Sequence, residues 1–96
     1  MKVVLSPAAE SDLEEIGDYI ARDNPHRAVS FIREIRERCL TIATAPNAAP
    51  LREKNLGGVR MVPHGGYLIF YRALNSEIRI ERILHGARDI QQLMDE

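Results

Sequence analysis

The sequence predicts an α+β domain in which a helical hairpin packs on one face of a small antiparallel sheet, in the order β-α-α-β-β-β-α. Three observations predict it. Two consecutive segments in the first half place apolar residues at helical spacing, each opened by a polar residue followed by proline. The second half carries three runs of branched and aromatic residues separated by turn signals. A stretch rich in Pro, Asn and Gly divides the halves.

Residues 2–5 (KVVL) read as a short strand. Ser6-Pro7 then starts a helix, because serine is a good N-cap and proline at the first helical position lacks only an N–H that has no partner there. Ala9, Leu13, Ile16 and Ile20 form its apolar stripe. Glu10, Asp12, Glu14 and Glu15 follow near the positive end of the helix dipole, where acids are favoured. Gly17 sits beside the stripe at a cost of about 1 kcal/mol against alanine, which suggests close packing of a neighbouring helix. Asn24-Pro25 repeats the start signal. Ala28, Phe31, Ile32, Ile35, Cys39 and Ile42 give the second helix its stripe, and the helix is expected to run to about Ala45, before Pro46. Two helices joined by so short a turn form an antiparallel hairpin.

Residues 46–58 read as a loop. Beyond it, residues 59–63 are expected to form a strand, His64-Gly65-Gly66 a turn, residues 67–74 the strongest strand and Asn75-Ser76 a tight turn. Residues 77–84 alternate charged and apolar side chains until Arg82-Ile83-Leu84, where the break signals a bulge or burial on both faces. Residues 87–94 can form a last short helix.

With 96 residues the chain is expected to form one domain, residues 1–96. A domain of this size buries roughly two-thirds of its unfolded surface. The chain has no Trp and five Phe and Tyr residues, so the core must be mainly Ile, Leu, Val and Ala. No run approaches the ~18 apolar residues of a membrane span, and the start lacks the apolar stretch of a signal peptide. The single cysteine, Cys39, forms no internal disulfide. A cytoplasmic location and no membrane partner are expected from these features together.

The net charge of −1 is unevenly placed, at −4 over residues 1–23, +2 over 24–45, +4 over 46–88 and −3 over 89–96. A nucleic-acid reader usually shows a stronger basic footprint. His26, His64, His85 and Cys39 lack metal-ligand spacing, so no metal site and no cofactor are expected. Cys39 falls on an apolar stripe, which favours a buried thiol over a nucleophile. The acidic run from Glu10 to Asp18 reads as a solvated helix face rather than paired catalytic carboxylates. Arg60, Arg72, Arg79, Arg82, His85 and Arg88 lie on or beside the expected strands. They can hold phosphates with a histidine as acid or base, form a charged protein-binding surface, or make solvated ion pairs worth ~0–1 kcal/mol each. The residues alone leave these readings open.

The motifs LSPAAESDLEEI (residues 5–16), RMVPHGGYLIFYR (residues 60–72) and RILHGARD (residues 82–89) resemble bacterial toxins of the RelE/ParE superfamily, on its ParE branch. In order and spacing the resemblance covers nearly the whole chain. It implies the toxin of a type II toxin–antitoxin module that binds DNA gyrase, traps it on cleaved DNA and blocks replication. It implies as partner a cognate ParD-like antitoxin of the ribbon-helix-helix type. That partner's otherwise disordered tail wraps the toxin, and its DNA-binding part brings the complex to DNA only indirectly. On this reading no residue is catalytic. Arg60, Arg72, Arg82, His85 and Arg88 are target-binding candidates. Leu13, Ile16, Ile20, Phe31 and Ile35 are candidates for an apolar groove that receives the antitoxin, although their stripes suit an ordinary core equally well.

The RelE branch shares the fold but cleaves mRNA on the ribosome. It typically carries several Lys or Arg on the sheet and a Tyr or His in the C-terminal tail. Residues 89–96 contain neither and are acidic. Under that alternative Arg60, Arg72 and His85 are the catalytic candidates. The ParE-like ending often has two consecutive basic residues, where this chain has Ala87-Arg88. An antitoxin-binding relative without toxicity is the remaining alternative.

Overall fold

The computed structural model describes residues 1–49, 58–87 and 89. Strand β1 (Lys2–Leu5) leads into helix α1 (Pro7–Ala21), and helix α2 (Pro25–Ile42) follows after a three-residue turn. Strands β2 (Arg60–His64), β3 (Tyr67–Ala73) and β4 (Glu77–His85) complete the domain. The sheet order is β1-β4-β3-β2. The last three strands form the expected antiparallel meander, and β1 adds to it in parallel beside β4, with Lys2 opposite Glu77 and Leu5 opposite Ile80. The sheet is therefore mixed. The expected helix over residues 87–94 lies, apart from residues 87 and 89, outside the described residues.

Both helix starts have the expected chemistry. The Ser6 hydroxyl accepts the Ala9 N–H, and the Asn24 side chain accepts the Arg27 N–H. Helix α2 ends at Ile42, three residues before the expected end at Ala45. The N–H groups of Ala43, Thr44 and Ala45 donate to carbonyls only three residues back, a tighter winding than the α-helix. Pro46 disfavours helical geometry in the residue before it, which accounts for the early exit.

Ala9, Leu13 and Ile16 from α1 and Phe31, Ile35, Cys39 and Ile42 from α2 pack on Ile69, Tyr71, Ile78, Ile80 and Ile83 of the sheet. The break in alternation on β4 is a bulge. Phe70 pairs with Arg82 but Tyr71 pairs with Ile80, so Glu81 is an extra residue. Beyond the bulge burial is also two-sided: Ile83 joins the main core, whereas Leu84 joins Val59 and Phe70 in a smaller cluster.

The β2–β3 turn uses Gly65 (φ 54°) and Gly66 (φ 84°), the positive dihedrals a two-residue hairpin needs. Gly65 also lies against α2. A Cβ there would stand 2.7 Å from Phe31 Cε1, closer than atoms can approach. Gly17 behaves differently from the expectation. A Cβ on it would meet Ile32 Cγ1 at 3.6 Å, an ordinary contact, so the approach of α2 does not require glycine.

Candidate functional site

The bulge at Glu81 is held from α1. It turns the Glu81 carbonyl toward the Ser6 hydroxyl, which donates to it at 2.8 Å. Nearly two turns further along α1, the Asp12 carboxylate meets the strand. Arg82 donates through Nε to Oδ2 at 2.8 Å and through Nη2 to Oδ1 at 2.9 Å, and the Ile83 N–H donates to Oδ2 at 2.9 Å. Asp12 is 8% exposed, so its charge is satisfied by three donors away from most water. The hydrogen bond to Asp12 raises the Arg82 guanidinium above its ordinary range. The reading of residues 10–18 as a solvated face is thus corrected at Asp12. Position 12 lies one turn from Ala9 and Ile16, on the inward side of the helix. That spacing was the available signal.

Arg60 serves another anchoring role. Its Nη1 donates to the carbonyls of Ala49 at 2.6 Å and Asn47 at 3.3 Å. The neighbouring Tyr71 hydroxyl donates to the Pro46 carbonyl at 2.8 Å, and burial pushes its pKa up. Both side chains tie the segment after α2 to the sheet. On the opposite face, Arg72 and Arg79 stand beside the Glu81 carboxylate at 3.7 and 3.2 Å. The His85 ring meets Tyr67 edge-on, with centroids 5.3 Å apart. The backbone N–H of His85 donates to Asp89 Oδ2 at 2.8 Å. Arg88 lies outside the described residues.

Arg60, Arg72 and His85 do not converge. Arg60 is opposite Tyr71 and His85 is opposite Tyr67, so both share the helix-bearing face but sit four residues apart along β3. That is about 13 Å of strand. Arg72 pairs with Arg79 on the other face.

A row of rings runs from the sheet to α2. Tyr67 packs on Phe31 at 5.6 Å, Phe31 lies 5.8 Å from His64, and Arg27 covers the Phe31 ring at 5.0 Å. Glu34 ion-pairs with Arg27 and lies 3.6 Å from His64. The Arg27 hydrogen bond lowers the Glu34 pKa. Among the groove candidates, Leu13, Ile16, Phe31 and Ile35 are buried in the main core, and Ile20 is partly buried against it. The open surface of the hairpin reaches only Leu13 among them. An open groove of about 700 Å³ follows the seam between α1 and α2, with Leu13, Gly17 and Ile32 along its floor. Cys39 is 1% exposed, and burial pushes its thiol up to about 11. No cluster of metal-ligating side chains occurs among the described residues.

The family described as "ParE toxin of type II toxin-antitoxin system, parDE" matches residues 3–90. Toxin ParE1 of Mycobacterium tuberculosis, strain CDC 1551 / Oshkosh, is 29% identical over 93 residues, covering 95% of each chain. Toxin ParE1 of strain ATCC 25618 / H37Rv matches to the same extent. A solved structure of the chromosomal ParDE TA system from P. aeruginosa superposes with a TM-score of 0.76 at 25% identity, covering 88% of this chain and 95% of that one. With two helices on a four-stranded sheet and a family match along most of its length, the chain belongs to the ParE toxins of type II toxin–antitoxin systems.

Proposed function

We propose that this toxin acts by binding DNA gyrase in the cytoplasm, trapping it on cleaved DNA, and that a ParD-like antitoxin neutralises it. The observation that carries this reading is the dispersal of the basic side chains. A nuclease needs its cations and its acid or base gathered around one scissile phosphate. Here Arg60 holds loop carbonyls, Arg82 holds Asp12, and Arg72 lies beside Glu81 on the far face from His85. Such a surface suits recognition of a protein, where charge complementarity sets partner and register. Family membership supports the antitoxin partner, and the relatives' toxin names support the class of activity.

A supercoiling assay tests the reading. Micromolar toxin added to gyrase and relaxed plasmid is expected to stop supercoiling and leave cleaved DNA after denaturation of the enzyme. Added antitoxin is expected to restore supercoiling. Unimpaired supercoiling without cleaved product would overturn the proposal. Cleavage of mRNA on translating ribosomes, lost in Arg60→Ala or His85→Ala, would replace it with the ribonuclease alternative.

A further inference from the structure

Arg72 and Arg79 occupy positions that other residues would serve better. They are direct partners across β3 and β4, and like charges at opposed positions weaken a sheet. Their strand neighbours Tyr71, Ile78 and Ile80 turn inward to the core, so both arginines project from the face away from the helices. The Glu81 carboxylate lies beside both, 3.7 Å from Arg72 Nε and 3.2 Å from Arg79 Nε. Glu81 is the residue that the bulge adds, and the Ser6 hydroxyl holds its carbonyl, so the backbone sets this carboxylate against the arginines. It orders the pair without covering it, since the Arg72 and Arg79 side chains stay 40% and 47% exposed.

The fold gains little from this arrangement. Arg60 holds loop carbonyls and Arg82 holds Asp12, whereas ion pairs as exposed as those to Glu81 contribute little stability. Two guanidiniums side by side, held in place beforehand, are instead a seat for a carboxylate or a phosphate. Nucleic acid fits the surroundings poorly. Glu77 alternates onto the same face as Arg79 and Glu81, so successive phosphates would meet acids, and the chain as a whole carries −1. A protein segment needs only one acid at the pair. Leu74, exposed and two residues beyond Arg72, offers an apolar contact beside it.

We propose that the Arg72–Arg79 pair, ordered by Glu81, binds a carboxylate on an acidic surface segment of gyrase, with Leu74 taking a neighbouring apolar side chain. The proposal rests on the gyrase reading above, and it adds Arg79 and Leu74 to the contact surface. It places the contact on the sheet face away from the hairpin. The like-charge pair then exchanges some sheet stability for a seat organised before the target arrives.

The test uses the full chain in the supercoiling assay, with melting temperature followed in parallel. Arg72→Gln and Arg79→Gln are each expected to raise the toxin concentration that halves supercoiling by about tenfold. The double variant is expected to raise it by about a hundredfold. Neither change is expected to lower the melting temperature, because each removes a like-charge opposition. Arg79→Lys, which keeps the charge but loses the planar fork, is expected to fall between wild type and Arg79→Gln. Wild-type potency in the double variant, with a wild-type chain that inhibits, overturns this proposal and leaves the gyrase reading standing. Potency that falls only in step with melting temperature assigns the pair a structural role and also overturns it. Binding of a short DNA duplex by the toxin alone, lost in the double variant, assigns the pair to phosphate with the same consequence. A wild-type chain that leaves supercoiling intact removes the gyrase reading and this proposal together.

Discussion

Asp12 is the residue on which helix and sheet depend together. Its carboxylate accepts from the half-exposed Arg82 and from the buried Ile83 N–H. Removing it strands the amide without a partner, which costs more than the ion pair returns. Asp12→Ala is expected to lower stability by about 2 kcal/mol, read from urea unfolding, whereas Arg82→Gln, whose amide can still donate to the buried carboxylate, is expected to lose about 1 kcal/mol. Equal losses would show that the ion pair, not the amide, dominates. Cys39 carries a pH dependence of its own. Burial raises the native thiol to about 11 from a reference of 9.0, so the native state holds a proton that the unfolded chain releases first. The stability this contributes is whole below about pH 9 and is lost as pH rises toward about 11. Cys39→Ala is expected to flatten the alkaline limb of a stability–pH curve. At pH 8 a thiol reagent should label Cys39 only as fast as the chain opens; labelling much faster than hydrogen exchange of α2 would contradict the burial argument.

At the scale of elements, what the sequence shows clearly is what local chemistry decides. Ser6-Pro7 and Asn24-Pro25 place both helix starts because capping acts within three residues. The β2–β3 turn is readable from Gly65-Gly66 for the same reason. The neighbour of β1 is not readable: KVVL satisfies the same pattern beside any strand, and only the crossover through the hairpin puts it parallel to β4. Most of the groove candidates are covered by the sheet, because periodicity identifies an apolar stripe without saying what covers it. Four strands are wide enough to cover Leu13, Ile16, Phe31 and Ile35. The scatter of Arg60, Arg72 and His85 was hidden likewise, since face and register appear only once strands pair. The same coupling makes the hairpin turn sensitive. Gly65→Ala must adopt φ near +54° and displace the Phe31 ring, at a cost of about 2 kcal/mol. Thermal melting is expected to fall by roughly 10 °C, whereas Gly66→Ala, with open space around it, should lose about half as much.

For the whole molecule, the near-neutral total conceals opposed halves, an acidic first helix region and a basic stretch that includes the sheet. Partners of opposite character can thus approach different faces, and each association should respond to salt separately. The joining of β1 to β4 has a further effect, on synthesis. The first strand made on the ribosome finds its partner only 75 residues later, where Lys2 meets Glu77. β4 is also the strand between β1 and β3, so without it the sheet falls into fragments. A nascent chain therefore carries no complete sheet until residues 77–85 have left the exit tunnel. Stalled chains exposing residues 1–74 are expected to be digested readily by protease, and those exposing residues 1–87 to resist; early protection would refute the idea. Chain order alone delays closure of the sheet until β4 has emerged, an interval in which an antitoxin already present can meet the toxin as it forms.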